Sequence, residues 1–130
     1  MEIEDIKNPN MKSQIQMAYL HGENNNQEAI EKVNKTIIEL IETSPLITVT
    51  ENDEHVKIPY GNDGEFIIPI FTDKQELEKG LEYFRLNEMS ENKVPKIVEI
   101  DYFKKIRDNP NFLGLLINIA TVSYIISLNY

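Results

Sequence analysis

Cysteine is absent from the 130-residue sequence, and histidine occurs only twice. Without cysteine the chain has neither a disulfide nor a thiolate nucleophile, which is typical of proteins of the cytoplasm. The two histidines, His21 and His55, are too far apart to give the ligand spacing of a zinc site. We therefore expect a cytoplasmic protein that holds no metal and no cofactor.

The sequence also has fewer basic than acidic residues. It contains 13 Lys and Arg and 22 Asp and Glu, which gives a net charge of −9. This surplus repels nucleic-acid phosphates and membrane head groups. Residues 1–5 lack the basic and apolar segments of a signal peptide, and the longest apolar region, residues 112–128, is too polar and too β-branched for a membrane span. We expect a protein partner with a basic or neutral surface, and no direct binding to nucleic acid or membrane.

Two helices are predicted in residues 1–45. Met11, Ile15 and Ala18 recur at helical spacing and predict a first helix that ends near Gly22. The second helix follows a polar segment rich in N-cap residues, and Pro45 ends it because proline has no amide hydrogen to donate. The apolar stripe of the second helix consists of Ala29, Ile30, Val33, Ile37, Leu40 and Ile41.

The other face of the second helix is charged. Glu28 with Lys32, and Glu31 with Lys35, are four residues apart in the favourable order, and each such pair stabilises a helix by a few tenths of a kcal/mol. We expect these pairs to keep the face in contact with water.

Three strands are predicted next, over residues 46–50, 55–60 and 65–71. Turn-forming residues separate them, so we expect an antiparallel meander. Pro69 lies within the third strand and has no amide hydrogen, which predicts that it occupies an edge or a bulge.

The third strand leads directly into a helix predicted from Asp73 to about Arg85. Thr72 is expected to accept a hydrogen bond from the amide of Gln75 while the Gln75 side chain reaches back, and Asp73 places negative charge at the positive end of the helix dipole. Such a capping box fixes where a helix begins. The sequence thus predicts a sharp strand-to-helix junction.

The remaining chain alternates strands and one short helix. A strand is predicted over residues 96–100, and two more over 114–119 and 122–128, joined by a tight turn at positions 120 and 121. Asp101 is predicted to cap a helix that buries Phe103 and Ile106. Four residues are expected in one core because their runs are too apolar and too β-branched for loops: Ile68, Ile70, Leu116 and Ile117.

Three segments resemble, in order and spacing, the N-terminal domain of the SseB family: residues 69–73 (Pro-Ile-Phe-Thr-Asp), the strand and helix of residues 98–106, and residues 115–118 (Leu-Leu-Ile-Asn). The resemblance extends from about residue 46 to the C-terminus, although Ile119 stands where the family commonly has proline. It implies an α+β fold in which helices pack on a mostly antiparallel sheet of five or six strands. The chain length fits one domain over residues 1–130, with a helical part at 1–45 and the sheet with two helices at 46–130. The resemblance supplies no catalytic residues.

The sequence offers few groups for catalysis. His21 is expected at a helix end, where an imidazolium complements the dipole, and His55 at a surface position of a strand. The acidic residues between 51 and 65 do not fit a twelve-residue calcium loop and are better explained as turn residues. Gly61 and Gly64 precede a strand rather than a helix, so they do not form a phosphate cradle.

We therefore expect a non-enzymatic, acidic protein-binding module of the bacterial inhibitor type, such as an immunity protein for a toxin. The alternatives are a nucleic-acid-mimicking inhibitor of a nucleic-acid enzyme, which needs a continuous negative patch, and an enzyme of unrecognised type, which needs His55 or His21 to meet carboxylates in a pocket. The expected partner-binding residues are acidic or aromatic: Glu28, Glu31, Asp53, Glu54, Tyr124 and Tyr130.

Overall fold

A computed structural model describes residues 2–87, 93–98 and 102–127 of the chain, and the fold is α+β. A 3-10 turn at Ile3–Asp5 precedes the first helix. The helices are α1 (Pro9–Glu23), α2 (Gln27–Thr43), α3 (Lys74–Leu86) and α4 (Tyr102–Ile106). The strands are β1 (Leu46–Glu51), β2 (Glu54–His55), β3 (Ile58–Pro59), β4 (Phe66–Phe71), β5 (Val94–Val98), β6 (Phe112–Ile117) and β7 (Tyr124–Ser127).

The two N-terminal helices form as the sequence predicts. The Asn26 side chain accepts a hydrogen bond from the amide of Ala29 at 3.2 Å and so caps α2, while Pro9 occupies the first turn of α1, where a missing amide hydrogen costs nothing. The helix α2 ends at Thr43, and its C-cap Ser44 immediately precedes Pro45. Within its apolar stripe Val33, Ile37 and Ile41 are buried in the core shared with α1 and the sheet, whereas the other three residues are half-buried.

The sheet is mixed and contains seven strands within the described residues, which corrects the expected five or six. Strand β1 has β5 along one edge and β4 with β2 along the other, and the sheet continues from β4 through β6 to β7. Most pairs are antiparallel, but β4 and β6 are parallel. The chain between them contains α3, β5 and α4, which is long enough to bring β6 back in the same direction.

The strand predicted at 55–60 is divided into β2 and β3. His55 of β2 lies opposite Thr50 of β1, whereas Ile58 of β3 lies opposite Ile67 of β4. The intervening residues carry the chain from one neighbour to the other, because β1 and β4 pair directly only at one end. The predicted three-stranded meander is therefore wrong in one respect. Its middle strand is replaced by two short strands, β2 paired with β1 and β3 paired with β4.

Pro69 lies in an interior strand, and the register shift of β4 falls between Phe66 and Ile67, so the prediction that Pro69 occupies an edge or a bulge was wrong. It stands between the residues of β4 that pair with β1 and those that pair with β3. The Pro69 carbonyl accepts a hydrogen bond from Thr48 Oγ1 at 2.7 Å. Since neither ladder needs an amide from this position, the proline costs the sheet no backbone hydrogen bond.

The sheet has an apolar core on each face. Ile68, Ile70 and Ile117 lie in the core covered by α1 and α2. Phe71 lies in the core on the other face, which α3 covers. Leu116 is buried, but alternation along β6 turns it away from Ile117, so the four predicted residues are all buried without sharing one face.

The cap of α3 is one residue later than predicted. Asp73 is the N-cap, and its Oδ1 accepts a hydrogen bond from the amide of Glu76 at 2.9 Å. Thr72 is fully buried, and its hydroxyl donates to Asp73 Oδ2 at 3.1 Å. The predicted capping box of Thr72 and Gln75 is therefore wrong, because the carboxylate one position further on takes the amide and the threonine supports that carboxylate.

Strand β6 is as long as predicted but lies two residues earlier, and β7 begins two residues later than predicted. Residues 118–123 connect the two strands, a longer connection than the predicted tight turn at positions 120 and 121, with Asn118 and Ser123 in the left-handed region. The predicted cap Asp101, the side chain of Phe103 and the predicted contact residue Tyr130 lie outside the described part of the chain. None of the helices in residues 2–87, 93–98 and 102–127 combines the length and apolarity needed to cross a bilayer.

Candidate functional site

The exposed face of α2 carries two of the predicted contact residues, Glu28 and Glu31. Glu28 lies in the first turn and its carboxylate is 3.7 Å from Lys32 Nζ, as the sequence predicts. The predicted partner of Glu31, Lys35, does not come within 4.0 Å in the described structure. Glu31 is thus an exposed carboxylate with no ion pair among the described residues, and an external cation can approach it freely.

A shallow depression of about 480 Å³ runs along this face. Ile38 lines it and is half-buried, whereas Glu31 and Glu39 of the same lining are exposed. Glu39, like Glu31, has no cation within 4.0 Å in the described part of the chain. The depression is lined by Glu31, Asn34, Lys35, Ile38, Glu39 and Glu42.

Two features limit the negative charge of this depression. Lys35 lies among the carboxylates, and Arg107 Nη1 is 2.8 Å from Glu42 Oε1. The free negative charge is therefore concentrated at Glu31 and Glu39 rather than spread evenly along the helix. This interleaving does not favour the nucleic-acid-mimic alternative, which requires a continuous negative surface.

Tyr124 joins one end of the depression to the body of the protein. Its hydroxyl donates to Asn34 Oδ1, and its ring packs edge-on against Tyr19 with the ring centroids 5.6 Å apart. Burial and the nearby Tyr19 raise the pKa of Tyr124 although the Asn34 contact opposes the change. Tyr124 is therefore half-buried by internal contacts and positions Asn34, rather than presenting a free aromatic surface.

Asp53 and Glu54 are exposed at the turn between β1 and β2, a different element from α2. Asp53 and the preceding Asn52 both have positive φ angles, 65° and 54°. Short polar residues tolerate this left-handed region, so the turn geometry accounts for the residue types here. The structure does not join these two carboxylates to the α2 depression.

His55 lies half-buried beside a cavity of about 130 Å³. Its ring contacts Tyr102, with 4.1 Å between the ring centroids, and its Nδ1 has no hydrogen-bond partner among the described residues. Burial lowers the pKa of His55, and the charges of Lys96 and Lys57 lower it further, while burial raises the pKa of Tyr102 to about 12. The described lining of this cavity contains no carboxylate, so His55 does not meet there the carboxylates that the enzyme alternative calls for.

His21 lies in the last turn of α1, as predicted, and is half-buried. Its backbone carbonyl accepts a hydrogen bond from the amide of Asn26 at 2.9 Å, which ties the end of α1 to the start of α2. The position suits an imidazole near the negative end of a helix dipole.

A buried polar network at the carboxyl ends of β4 and β6 was not predicted as a site. Lys12 Nζ lies 2.9 Å from Asp73 Oδ2, and Thr121 Oγ1 donates to Glu76 Oε2 at 2.6 Å. Burial by itself would raise the pKa of Asp73, but hydrogen bonds from the Glu76 amide, Lys12 and Thr72 outweigh it and lower that pKa. The only sequence signal was the N-cap position of Asp73, because the partners are 61 and 45 residues away from the groups that they contact.

The class of protein defined by this geometry is an α+β domain with an acidic, solvent-facing helix. A scan against protein-family models, a search of curated proteins and a search of solved structures each return no match. The resemblance to the SseB N-terminal domain remains a prediction from the residues.

Proposed function

We propose that the protein is a non-enzymatic binding module that holds a basic segment of a partner protein on the exposed face of α2. The observation that carries the proposal is the pair of exposed carboxylates, Glu31 and Glu39, that line one depression with the apolar Ile38 and have no cation within 4.0 Å among the described residues. A segment that carries two cationic side chains and an apolar one matches this lining in charge and in chemistry. Inhibitors and immunity proteins that cover a basic toxin surface are the kind of protein expected to work in this way.

The net charge of −9 supports the same assignment, because long-range attraction speeds the encounter with a basic partner. Rim charges of this kind affect the association rate and its salt dependence more than they affect the lifetime of the complex. A partner recovered by affinity purification and identified by mass spectrometry can therefore be tested by association kinetics over ionic strengths from about 0.01 M to about 1 M.

The decisive comparison uses two double charge reversals of equal size. Glu31→Lys with Glu39→Lys alters the proposed site, and Asp53→Lys with Glu54→Lys alters the β1–β2 turn; each pair changes the net charge by 2 × 2 = 4, from −9 to −5. We expect the first pair to slow association at low salt by about tenfold and to flatten its salt dependence, and the second to have a smaller effect. Circular dichroism confirms that each variant is folded.

Equal slowing by the two reversals would show that net charge acts without a site on α2. Wild-type rates for both would remove the electrostatic proposal, and an apolar interface would then be the better explanation.

A further inference from the structure

A cavity of about 270 Å³ lies at the carboxyl ends of the parallel strands β4 and β6, enclosed by α1, α3 and the β6–β7 connection. In sheets with helical connections, the carboxyl ends of parallel strands are where ligands commonly bind. The polar residues of the lining are Lys12, Gln16, Glu76, Lys79, Asn118 and Thr121.

Glu76 provides a buried carboxylate with an unused oxygen. Its side chain is only 8% exposed, and Oε2 accepts the hydrogen bond from Thr121. The nearest cation to Oε1 is Lys79 Nζ at 3.9 Å, which is too long for a hydrogen bond, and no donor to Oε1 is found among the described residues. Among the described residues Oε1 is not one of the fully buried polar atoms without a partner, so it reaches the solvent of the cavity and can accept a hydrogen bond from a ligand.

Two lysines lie at the rim of the same cavity. Lys12 shares its ammonium with Asp73, and its side chain is 41% exposed. Lys79 is 51% exposed, and Glu76 is its only carboxylate within 4.0 Å in the described structure. Each ammonium has three hydrogens, so both lysines retain donors for a ligand.

We propose that this cavity binds a small zwitterion, with the ligand's ammonium on Glu76 Oε1 and its carboxylate between Lys79 and Lys12. A simple cation would be repelled by the two lysines, and a simple anion would meet the Glu76 carboxylate. Only a molecule that carries both charges satisfies both groups. This site is distinct from the α2 face and does not depend on the function proposed there.

The volume limits the size of the ligand. A water molecule occupies about 30 Å³ in the liquid, so a cavity of about 270 Å³ holds the equivalent of about nine waters. A free α-amino acid, with an ammonium and a carboxylate on one carbon, has this size and this charge pattern.

The test is a titration of the ¹⁵N-labelled full chain with each of the protein amino acids, up to about 10 mM, where even a millimolar ligand is mostly bound. Acetate and methylammonium, each carrying one of the two charges, serve as half-ligand probes. We expect at least one amino acid to shift the amide resonances around Glu76 and Thr121 in a saturable way, and neither half-ligand to do so over the same range.

Variants connect that binding to the cavity. Glu76→Gln keeps the size of the side chain and leaves the backbone cap of α3 in place, and we expect it to weaken binding at least about tenfold. The matched control is Glu78→Gln on the exposed side of the same helix, which should bind as the wild type does.

Three results would overturn the proposal: no saturable shift with any amino acid, saturation by acetate or methylammonium as strong as by the amino acid, or equal affinity of wild type and Glu76→Gln. Should Glu76→Gln prove unfolded in a urea melt, Lys79→Gln replaces it and must show the same loss, because its half-exposed side chain tolerates substitution.

Discussion

Thr72 and Asn118 exchange two hydrogen bonds across the ends of the parallel strands β4 and β6. The Thr72 amide donates to Asn118 Oδ1 at 3.1 Å, and Asn118 Nδ2 donates to Thr72 Oγ1 at 3.0 Å. Both residues are buried, so neither could exchange these bonds for bonds to water. The Thr72 hydroxyl also donates to Asp73, which links the strand ends to the cap of α3.

We expect Asn118→Ala to lower the free energy of unfolding by about 2–4 kcal/mol. The substitution leaves the buried Thr72 amide without an acceptor and places alanine at a φ angle of 53°. Urea melts measure the loss. Asn118→Gly, which tolerates the same φ angle, should recover the backbone part only; if it were as stable as the wild type, the side-chain bonds would contribute nothing.

We expect any side chain at Gly80 of α3 to lower the stability of the protein, although glycine has a low helix propensity. A Cβ at this position would lie 2.2 Å from Phe71 Cε1, and Phe71 is fully buried. Gly80→Ala should therefore destabilise the protein by about 1–3 kcal/mol, although alanine favours an open helix position by about 1 kcal/mol.

Gly22 of α1 provides the matched control for Gly80, because a Cβ added at Gly22 would meet no atom of the described residues within 4 Å. Gly22→Ala should stabilise the protein by about 0.5–1 kcal/mol. Thermal melts of the two variants should move in opposite directions, and parallel shifts would contradict the proposed contact with Phe71.

Stability should fall at acidic pH through Asp73. Its pKa is lower in the folded chain than the ordinary value of 3.8, so the unfolded chain binds more protons in this range. The stabilisation is complete above 3.8 and is lost as the pH falls below it. Urea melts from about pH 5 to about pH 2.5 should show a smaller slope for Asp73→Asn than for the wild type, and equal slopes would contradict the lowered pKa of Asp73.

His55 should add a second pH dependence closer to neutrality. Its pKa is lowered by burial and by Lys96 and Lys57, so its neutral form is favoured in the folded chain. The contribution is complete above the ordinary value of 6.5 and is lost as the pH falls through the range below it.

His55→Phe keeps a ring against Tyr102 but cannot titrate, so it should remove the slope between about pH 7 and about pH 5. If His55→Phe and the wild type had the same slope, neither burial nor the two lysines would lower the pKa of His55.

Local patterns determined much of this protein. The apolar spacing in α2, its asparagine cap and Pro45 depend on neighbours within a few residues, so the bounds of the helix follow from the sequence. The exposed position of Glu31 follows equally from the helical period, because the opposite face must be buried. The strands around Ile68 and Ile117 were predicted from their apolar, β-branched runs, which are also local patterns.

Only the tertiary structure decided which strands pair and which polar groups meet. The parallel pairing of β4 with β6 depends on how the intervening chain packs, and it alone brings Thr72 beside Asn118. The choice of Asp73 over Thr72 as the cap follows from the same contact, since the threonine hydroxyl is held between Asn118 and Asp73. The Glu76 carboxylate is bound by Thr121, which lies 45 residues further along the chain. A contact between residues so far apart cannot be predicted from a local sequence pattern.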